Sequence, residues 1–165
     1  MTNVEVKEGG VEGLGIFALQ YFTNGEVIRR VNIIREVTPD TPLQEGEQAE
    51  HCAYHDEKVV LYGYPDRHMN HSCDPNCYYE YGDEIPSVVA RQDIKNGEEL
   101  TVDYLINNSG GDSWNCDCQS PRCRGKTGNS FFDLPSSFQM EYLPFLAPWF
   151  VVRYKEKIER LRKEM

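Results

Sequence analysis

Three cysteines within eight residues constrain this chain more than any other feature. Cys116, Cys118 and Cys123 are separated by one and by four residues, in a chain that has six cysteines. A loop this short can bring three thiolates to one tetrahedral zinc ion, at zinc–sulfur distances of about 2.3 Å. The fourth ligand is missing locally. The histidines that could supply it are His51, His55 and His68, and a distant cysteine is the other source. The loop predicts zinc binding in preference to a redox-active or merely reduced thiol cluster.

Length and charge narrow the class of protein. With 165 residues and 39% hydrophobic content, the chain can bury one core. Its formal charge of −10 argues against direct nucleic-acid binding, which needs a basic face, and makes a basic peptide the better electrostatic match. No apolar run approaches the ~20 residues that cross a bilayer, and residues 1–5 lack the layout of a secretory signal. We therefore expect an intracellular protein without membrane or nucleic-acid partners.

Short strands dominate the predicted secondary structure. Residues 18–28 and 90–100 echo each other around Asn-Gly-Glu, and each predicts a strand, a type I′ turn and a second strand. Chance repetition of turn chemistry explains the echo better than internal duplication. Further strands are predicted at residues 27–37, 58–62, 78–81 and 87–91, where β-branched and aromatic residues lie between breakers. Residues 40–56 could form a short helix or a loop.

The composition changes after residue 133 and predicts helices. Ser136-Ser137-Phe138-Gln139 resembles a capping box, in which the side chains of a serine and Gln139 satisfy free amides at a helix start. After Pro148 the apolar positions recur at steps of three and four, which is typical of an amphipathic helix. Those positions are Val151, Tyr154, Ile158, Leu161 and Met165. Docking on its own domain is the favoured role of this helix, and self-association is the alternative.

Four motifs in order carry a family resemblance. They are Gly13-Leu14-Gly15, Asn70-His71-Ser72-Cys73, Glu99-Leu100-Thr101-Val102-Asp103-Tyr104 and the cysteine loop. Together they resemble the SET-domain protein lysine methyltransferases with a post-SET zinc site, over roughly three quarters of the chain. The resemblance implies a mainly β (α+β) fold of small β-sheets, with a knot-like crossing of the second and third motifs, a zinc-bound post-SET loop and a C-terminal helix. It divides the chain into a SET core (1–108), a post-SET zinc loop (109–127) and a C-terminal helical extension (128–165).

The resemblance also assigns ligand sites. It selects Cys73 as the fourth zinc ligand, and Arg122, Arg124 and Lys126 are expected to compensate the thiolate charge. It implies S-adenosylmethionine as the second cofactor. The implied cofactor-binding residues are Gly13, Leu14, Gly15, Ile16, Phe17, Arg67, Asn70, His71, Tyr104 and Trp114. A Gly-x-Gly-x-x-Gly motif after a strand is absent from the sequence, which disfavours the doubly wound fold of other methyltransferases.

Tyr104 matches the catalytic tyrosine of the family, and Asp103 beside it is expected to be structural. Many SET enzymes carry Phe or Tyr where this chain has Val102, a position that tunes how many methyl groups are added. We expect Tyr79 to take over this role. Tyr62, Tyr64 and a C-terminal phenylalanine are the alternatives.

The resulting functional hypothesis is methyl transfer to a lysine of a basic protein, with a histone tail as the family default. A monomer is favoured over a homo-oligomer, and the sequence does not distinguish nucleus from cytoplasm. Two rival hypotheses remain at this point: a catalytically weak zinc-stabilised module that binds basic peptides, and a structural zinc protein with a vestigial cofactor motif.

Overall fold

The computed structural model describes residues 2–56, 58–82 and 85–163. In these ranges ten short strands form three small sheets, and three α-helices follow near the C-terminus. The strands are β1 (Val4–Glu8), β2 (Leu14–Ala18), β3 (Val27–Arg30), β4 (Ile33–Val37), β5 (Cys52–His55), β6 (Lys58–Tyr62), β7 (Asn70–His71), β8 (Cys77–Glu80), β9 (Ser87–Ala90) and β10 (Glu99–Val102). The helices are α1 (Ser136–Tyr142), α2 (Pro148–Arg153) and α3 (Lys155–Lys163). None of the described helices is long and apolar enough to cross a membrane.

The first sheet brings two of the sequence motifs together. Its order is β1-β2-β10-β7, and β10 runs parallel to β7, with Thr101 opposite Asn70 and Val102 opposite His71. Parallel neighbours need a long connection between them, and here it contains β8 and β9 of another sheet. This pairing is the contact on which the expected crossing of the two motifs depends.

The other two sheets refine the predicted strand boundaries. Their orders are β3-β9-β8 and β4-β6-β5. Strand β6 matches the prediction, whereas the single strand expected at residues 27–37 is two strands, β3 and β4, that belong to different sheets. The undecided residues 40–56 contain a 3-10 turn at Ala49–His51 and then β5.

The two echoed segments pair with each other rather than forming hairpins. Phe22 and Ile94 form an antiparallel bridge. The amide of Gly97 donates to the Ala18 carbonyl, and the amide of Gly25 donates to the Ala90 carbonyl, so the two segments make reciprocal contacts. In each turn only the glycine has a positive φ, 83° at Gly25 and 86° at Gly97. A positive φ at the third residue alone is typical of a type II turn. The predicted type I′ hairpins are therefore wrong, although the turns lie where expected.

A second hydrophobic cluster docks the C-terminal helices on the domain, as the sequence favoured. Phe150 and Ile158 are fully buried and pack in one cluster with Leu105, which follows the sequence motif at residues 99–104. The predicted single helix after Pro148 is interrupted at Tyr154, where ψ is 30°, giving α2 and α3. Met165, the last residue of the predicted stripe, lies outside the described residues.

The predicted capping box is also wrong. No side chain caps α1, which follows Pro135, and the Gln139 side chain instead donates to the carbonyls of Phe132 and Leu134. A capping box forms earlier, between Ser130 and Asp133.

Candidate active site and zinc centre

The four cysteines of the predicted zinc site converge. The Sγ atoms of Cys73, Cys116, Cys118 and Cys123 all lie within 4.8 Å of one another. The Cys73 and Cys116 sulfurs are 3.7 Å apart, close to the ~3.8 Å edge of a tetrahedron with zinc–sulfur bonds of about 2.3 Å. The amide of Cys73 donates to the Cys118 sulfur at 3.4 Å. Such N–H···S bonds stabilise thiolates, so this donor set fits a zinc ion held by four cysteines.

The arginines near the loop are paired with carboxylates, and Arg124 also acts on the cluster as expected. Burial raises the pKa of the Cys73 thiol, and the amide and the charge of Arg124 lower it. Arg124 forms a two-pronged ion pair with the fully buried Asp103, at 2.7 Å and 3.1 Å. Arg122 pairs with Glu141 of α1 and with Asp74. Asp103 thus has the structural role that was expected of it. The pair also fixes the cysteine loop to the end of the strand that leads to the candidate catalytic residue.

Two cavities share part of their lining in the segment after β10. Cavity A, of about 260 Å³, lies beside β5 and carries several tyrosines; cavity B, of about 360 Å³, lies beside β7 and the cysteine loop. Cavity A is lined by Glu50, His51, Cys52, Ala53, Tyr54, Tyr62, Asp66, Arg67, Met69, Tyr79, Tyr81, Val102, Asp103, Tyr104, Ile106, Asn108 and Trp114. Cavity B is lined by Val11, Glu12, Asn70, His71, Tyr104, Trp114, Asn115, Cys116, Asp117 and Cys118. Tyr104 and Trp114 belong to both walls.

Tyr104 is held in place from two sides. Its hydroxyl donates to the Met69 carbonyl at 2.5 Å, and its amide donates to His71 Nδ1 at 3.2 Å. Burial of the ring's polar end, with Glu12 nearby, raises the pKa of Tyr104 to about 12, although 44% of the residue's surface is exposed. The hydroxyl is therefore neutral at physiological pH.

His71 connects Tyr104 to the cysteine cluster. Burial lowers the pKa of His71 to about 4, so the ring is neutral and carries one N–H. Because Nδ1 accepts from the Tyr104 amide, the proton belongs on Nε2, which lies 3.5 Å from the Cys73 sulfur. A change at the cysteine cluster can thus reach the backbone of Tyr104 through one side chain.

Asn70 is fixed by a carboxylate that the sequence analysis did not single out as a site residue. Its amide nitrogen donates to Glu99 at 2.8 Å and to the carbonyls of Glu12 and Leu14. The second oxygen of Glu99 accepts from the Gly10 amide at 2.7 Å. Glu99 therefore holds together β7, β10 and the loop before β2. The alternation of β10 could have indicated that Glu99 and Thr101 share a face, but not which partners they meet.

The expected site residues divide between the two cavities and the core. Cavity B is lined by four of them, Asn70, His71, Tyr104 and Trp114. Arg67 lines cavity A instead, and Tyr79 lines cavity A together with Val102. Ile16 and Phe17 are core side chains, and the segment at Gly13 to Gly15 reaches the site through the Leu14 carbonyl. Tyr64, an alternative to Tyr79, is exposed and lies outside both walls, whereas Tyr62, the other tyrosine considered, lines cavity A.

Comparison with known proteins places the chain in a family. The SET domain model matches residues 13–105, more than half of the chain, so the chain belongs to the SET-domain family. A histone-lysine N-methyltransferase of Aspergillus oryzae, specific for H3 lysine 36, is 39% identical over 66 residues, which are 38% of this chain and 7% of that protein. A candidate histone-lysine N-methyltransferase of Plasmodium falciparum is 29% identical over 136 residues, 73% of this chain and 2% of that protein. The chain thus spans a small part of these relatives.

A solved structure supports the same fold. The crystal structure of a candidate histone methyltransferase from Plasmodium falciparum superposes with a TM-score of 0.53 at 18% identity, covering 63% of this chain and 94% of that one. The small sheets followed by C-terminal helices match that architecture, so the predicted SET-type fold is confirmed.

Proposed function

We propose that this chain is an S-adenosylmethionine-dependent protein-lysine N-methyltransferase. The observation that carries the proposal is the position of Tyr104 on the walls of two neighbouring cavities. Transfer between a cofactor and a protein side chain needs two such sites that meet at the reacting atoms. The SET-domain match at residues 13–105 supports this reading.

Cavity B is the proposed cofactor site. Its volume of about 360 Å³ falls in the ~300–1,000 Å³ range of small-molecule sites. S-adenosylmethionine, when bound, supplies a methyl group on a positively charged sulfur. Glu12 and Asp117 offer carboxylates for its cationic part, and Trp114 offers an aromatic face for its adenine. Since the Asn70 amide nitrogen is bound within the protein, its carbonyl oxygen is the group left to accept from the ligand's ammonium.

Cavity A is the proposed lysine site. A lysine must lose its proton before its nitrogen can attack a methyl group, and a charged ammonium is disfavoured beside a cationic sulfur. The tyrosine-lined wall excludes water around the amine and aligns it. Tyr104 contributes a neutral hydroxyl whose direction is fixed by the Met69 carbonyl, so it orients the reacting groups at the junction of the cavities.

The zinc centre is proposed to be structural. Cys73, Cys116, Cys118 and Cys123 would complete four-coordination and leave no open position for catalysis. The cluster would fasten the post-SET loop, and with it Trp114 and Asn115, over cavity B. We accordingly retain the division into a SET core (1–108), a post-SET zinc loop (109–127) and a helical extension (128–165).

The proposed substrate is a lysine in a basic protein, with histones as the first candidates. The formal charge of −10 favours association with cationic partners over nucleic acid. The names of the relatives include histone-lysine N-methyltransferases, which supports the same class of substrate. Such a reaction takes place inside the cell, as a monomeric enzyme in the simplest arrangement.

The direct test is methyl transfer by the purified, zinc-loaded chain. Labelled S-adenosylmethionine is incubated with the protein and either core histones or a cell extract, and labelled lysines are located by mass spectrometry. Label on lysine is the expected result. Binding of basic peptides without any label would instead support the zinc-stabilised peptide-binding module.

A further inference from the structure

A histidine stands behind the wall of cavity A and contacts one of its tyrosines. Tyr62 lines the cavity, and its hydroxyl lies 2.7 Å from His55 Nε2. The two residues come from neighbouring strands, in which His55 is opposite Lys58 of β6. Tyr62 is buried, and His55 is the one hydrogen-bond partner of its hydroxyl among the residues that the structure describes.

The imidazole of His55 is fixed from behind by the C-terminal extension. Its ring meets the edge of Tyr81 at 5.4 Å, and Tyr81 in turn meets Trp149 of α2 at 6.5 Å. Arg153 of the same helix forms an ion pair with Asp56, the residue after His55. Helix α2 thus contacts Tyr81 and Asp56, the residues that surround His55. This helix lies outside the range that matches the SET domain.

Both partners of the hydrogen bond are neutral near pH 7. Burial lowers the pKa of His55 to about 4, and burial together with Tyr81 and Asp66 raises the pKa of Tyr62 well above its usual value. A neutral imidazole carries one proton, so either the hydroxyl donates to Nε2 or Nε2–H donates to the oxygen. In the first case the Tyr62 oxygen keeps a lone pair that can accept a further hydrogen bond, and in the second its O–H is free to donate one.

We propose that His55 is a positioning residue that accepts the Tyr62 O–H and thereby presents the Tyr62 oxygen to cavity A as an acceptor for the N–H of the substrate amine. This inference rests on the proposed lysine methylation. The amine attacks through its lone pair, so a hydroxyl that donated to that lone pair would compete with the reaction. An acceptor binds an N–H and leaves the lone pair directed at the methyl group.

The consequence is a preference among substrate amines. An unmethylated amine offers two N–H groups to the wall, a monomethyl amine one, and a dimethyl amine none. An acceptor fixed by His55 therefore favours the first transfer over later ones. His55 itself, with its lowered pKa, is not proposed to remove the lysine proton.

The first experiment tests the bond without activity. Nitrogen NMR of histidine-labelled protein at neutral pH should give an unprotonated, pyridine-type Nε2 signal for His55, assigned with His55→Gln, and this signal should shift in Tyr62→Phe. A pyrrole-type Nε2, or a signal unmoved in Tyr62→Phe, would overturn the proposal. Because turnover is not needed, a failure of the proposed methyltransferase activity is recognised separately, as absence of product with wild type.

The second experiment tests the effect on transfer. His55→Leu should lower kcat about fivefold or more with little change in the KM for S-adenosylmethionine, and should raise the share of di- and trimethyl product. His55→Gln, which keeps an acceptor, should recover most of the rate. In the Tyr62→Phe background His55→Leu should have no further effect. Additive losses in the double variant, or wild-type kinetics and products in His55→Leu, would show that His55 only packs.

Discussion

Gly15 lies directly against the carboxylate of Glu99. A Cβ added at residue 15 would come 2.8 Å from the Glu99 Cδ atom and closer still to one of its oxygens. That carboxylate accepts hydrogen bonds from the Asn70 side chain and from the Gly10 amide. The glycine motif at residues 13–15 and the motif that begins at Glu99 therefore depend on each other. Gly15, which the family resemblance assigns to cofactor binding, is therefore part of the support of cavity B.

We predict that Gly15→Ala weakens S-adenosylmethionine binding by tenfold or more, because Glu99 must move and release Asn70. Isothermal titration calorimetry measures this loss. Gly82→Ala is the matched control, since nothing lies within 4 Å of the added carbon there. Unchanged affinity in Gly15→Ala would contradict a role for the Glu99–Asn70 hydrogen bond in cofactor binding.

The zinc proposal predicts one tightly bound zinc per chain. Cys73→Ser should lose most of this zinc and unfold at lower denaturant, because one of four thiolates is removed. Elemental analysis and denaturation measure both effects. Cys52→Ser is the control, since Cys52 lies outside the cluster. If Cys73→Ser retained a full equivalent of zinc, the fourth ligand would be another residue.

The ion pair of Arg124 with Asp103 should contribute far more to stability than that of its neighbour Arg122. Arg124→Ala leaves the fully buried Asp103 carboxylate without its partner, which costs ~3–5 kcal/mol. Arg122→Ala breaks a half-exposed network with Glu141 and should cost about 1 kcal/mol. Urea denaturation of both variants, each with zinc present, provides the comparison. Equal losses would contradict the role given to Asp103.

Tyr79 is predicted to limit the number of methyl groups added. It lines cavity A, and burial together with Tyr62 raises its pKa well above the usual value, so its hydroxyl stays neutral. Tyr79→Phe should remove the hydrogen bond between this hydroxyl and the substrate amine or a water beside it, which is worth ~1 kcal/mol. The product should then shift several-fold from mainly monomethyl lysine toward di- and trimethyl lysine. Mass spectrometry over time measures the ratio. Tyr78→Phe is the control, because Tyr78 packs on Phe145, with ring centroids 4.5 Å apart.

Local chemistry in the sequence predicted part of this structure well. Strand β6 and the glycine turns at Gly25 and Gly97 follow from β-branched runs and from the need for positive φ. The convergence of Cys73 with the cysteine loop was also anticipated, but from family resemblance and not from spacing. Short-range patterns therefore located elements without saying how they pair.

The structural features that were not predicted from the sequence depend on contacts between distant segments. The pairing of the two echoed segments, the break at Tyr154 and the Glu99 and His55 contacts have no periodic signature. Ser136 and Gln139 have the right spacing for a cap, yet the carbonyls of Phe132 and Leu134 compete for the Gln139 side chain. Tertiary partners decided each of these cases.

Methyl transfer at Tyr104 is tested most directly by the turnover of Tyr104→Phe on a lysine peptide identified with the wild type. This change removes the hydroxyl that donates to the Met69 carbonyl and leaves the aromatic wall of both cavities. We predict unchanged folding and S-adenosylmethionine affinity with kcat reduced by at least about a hundredfold, a loss of ~3 kcal/mol in transition-state stabilisation. Wild-type kcat in this variant would contradict the placement of methyl transfer at Tyr104.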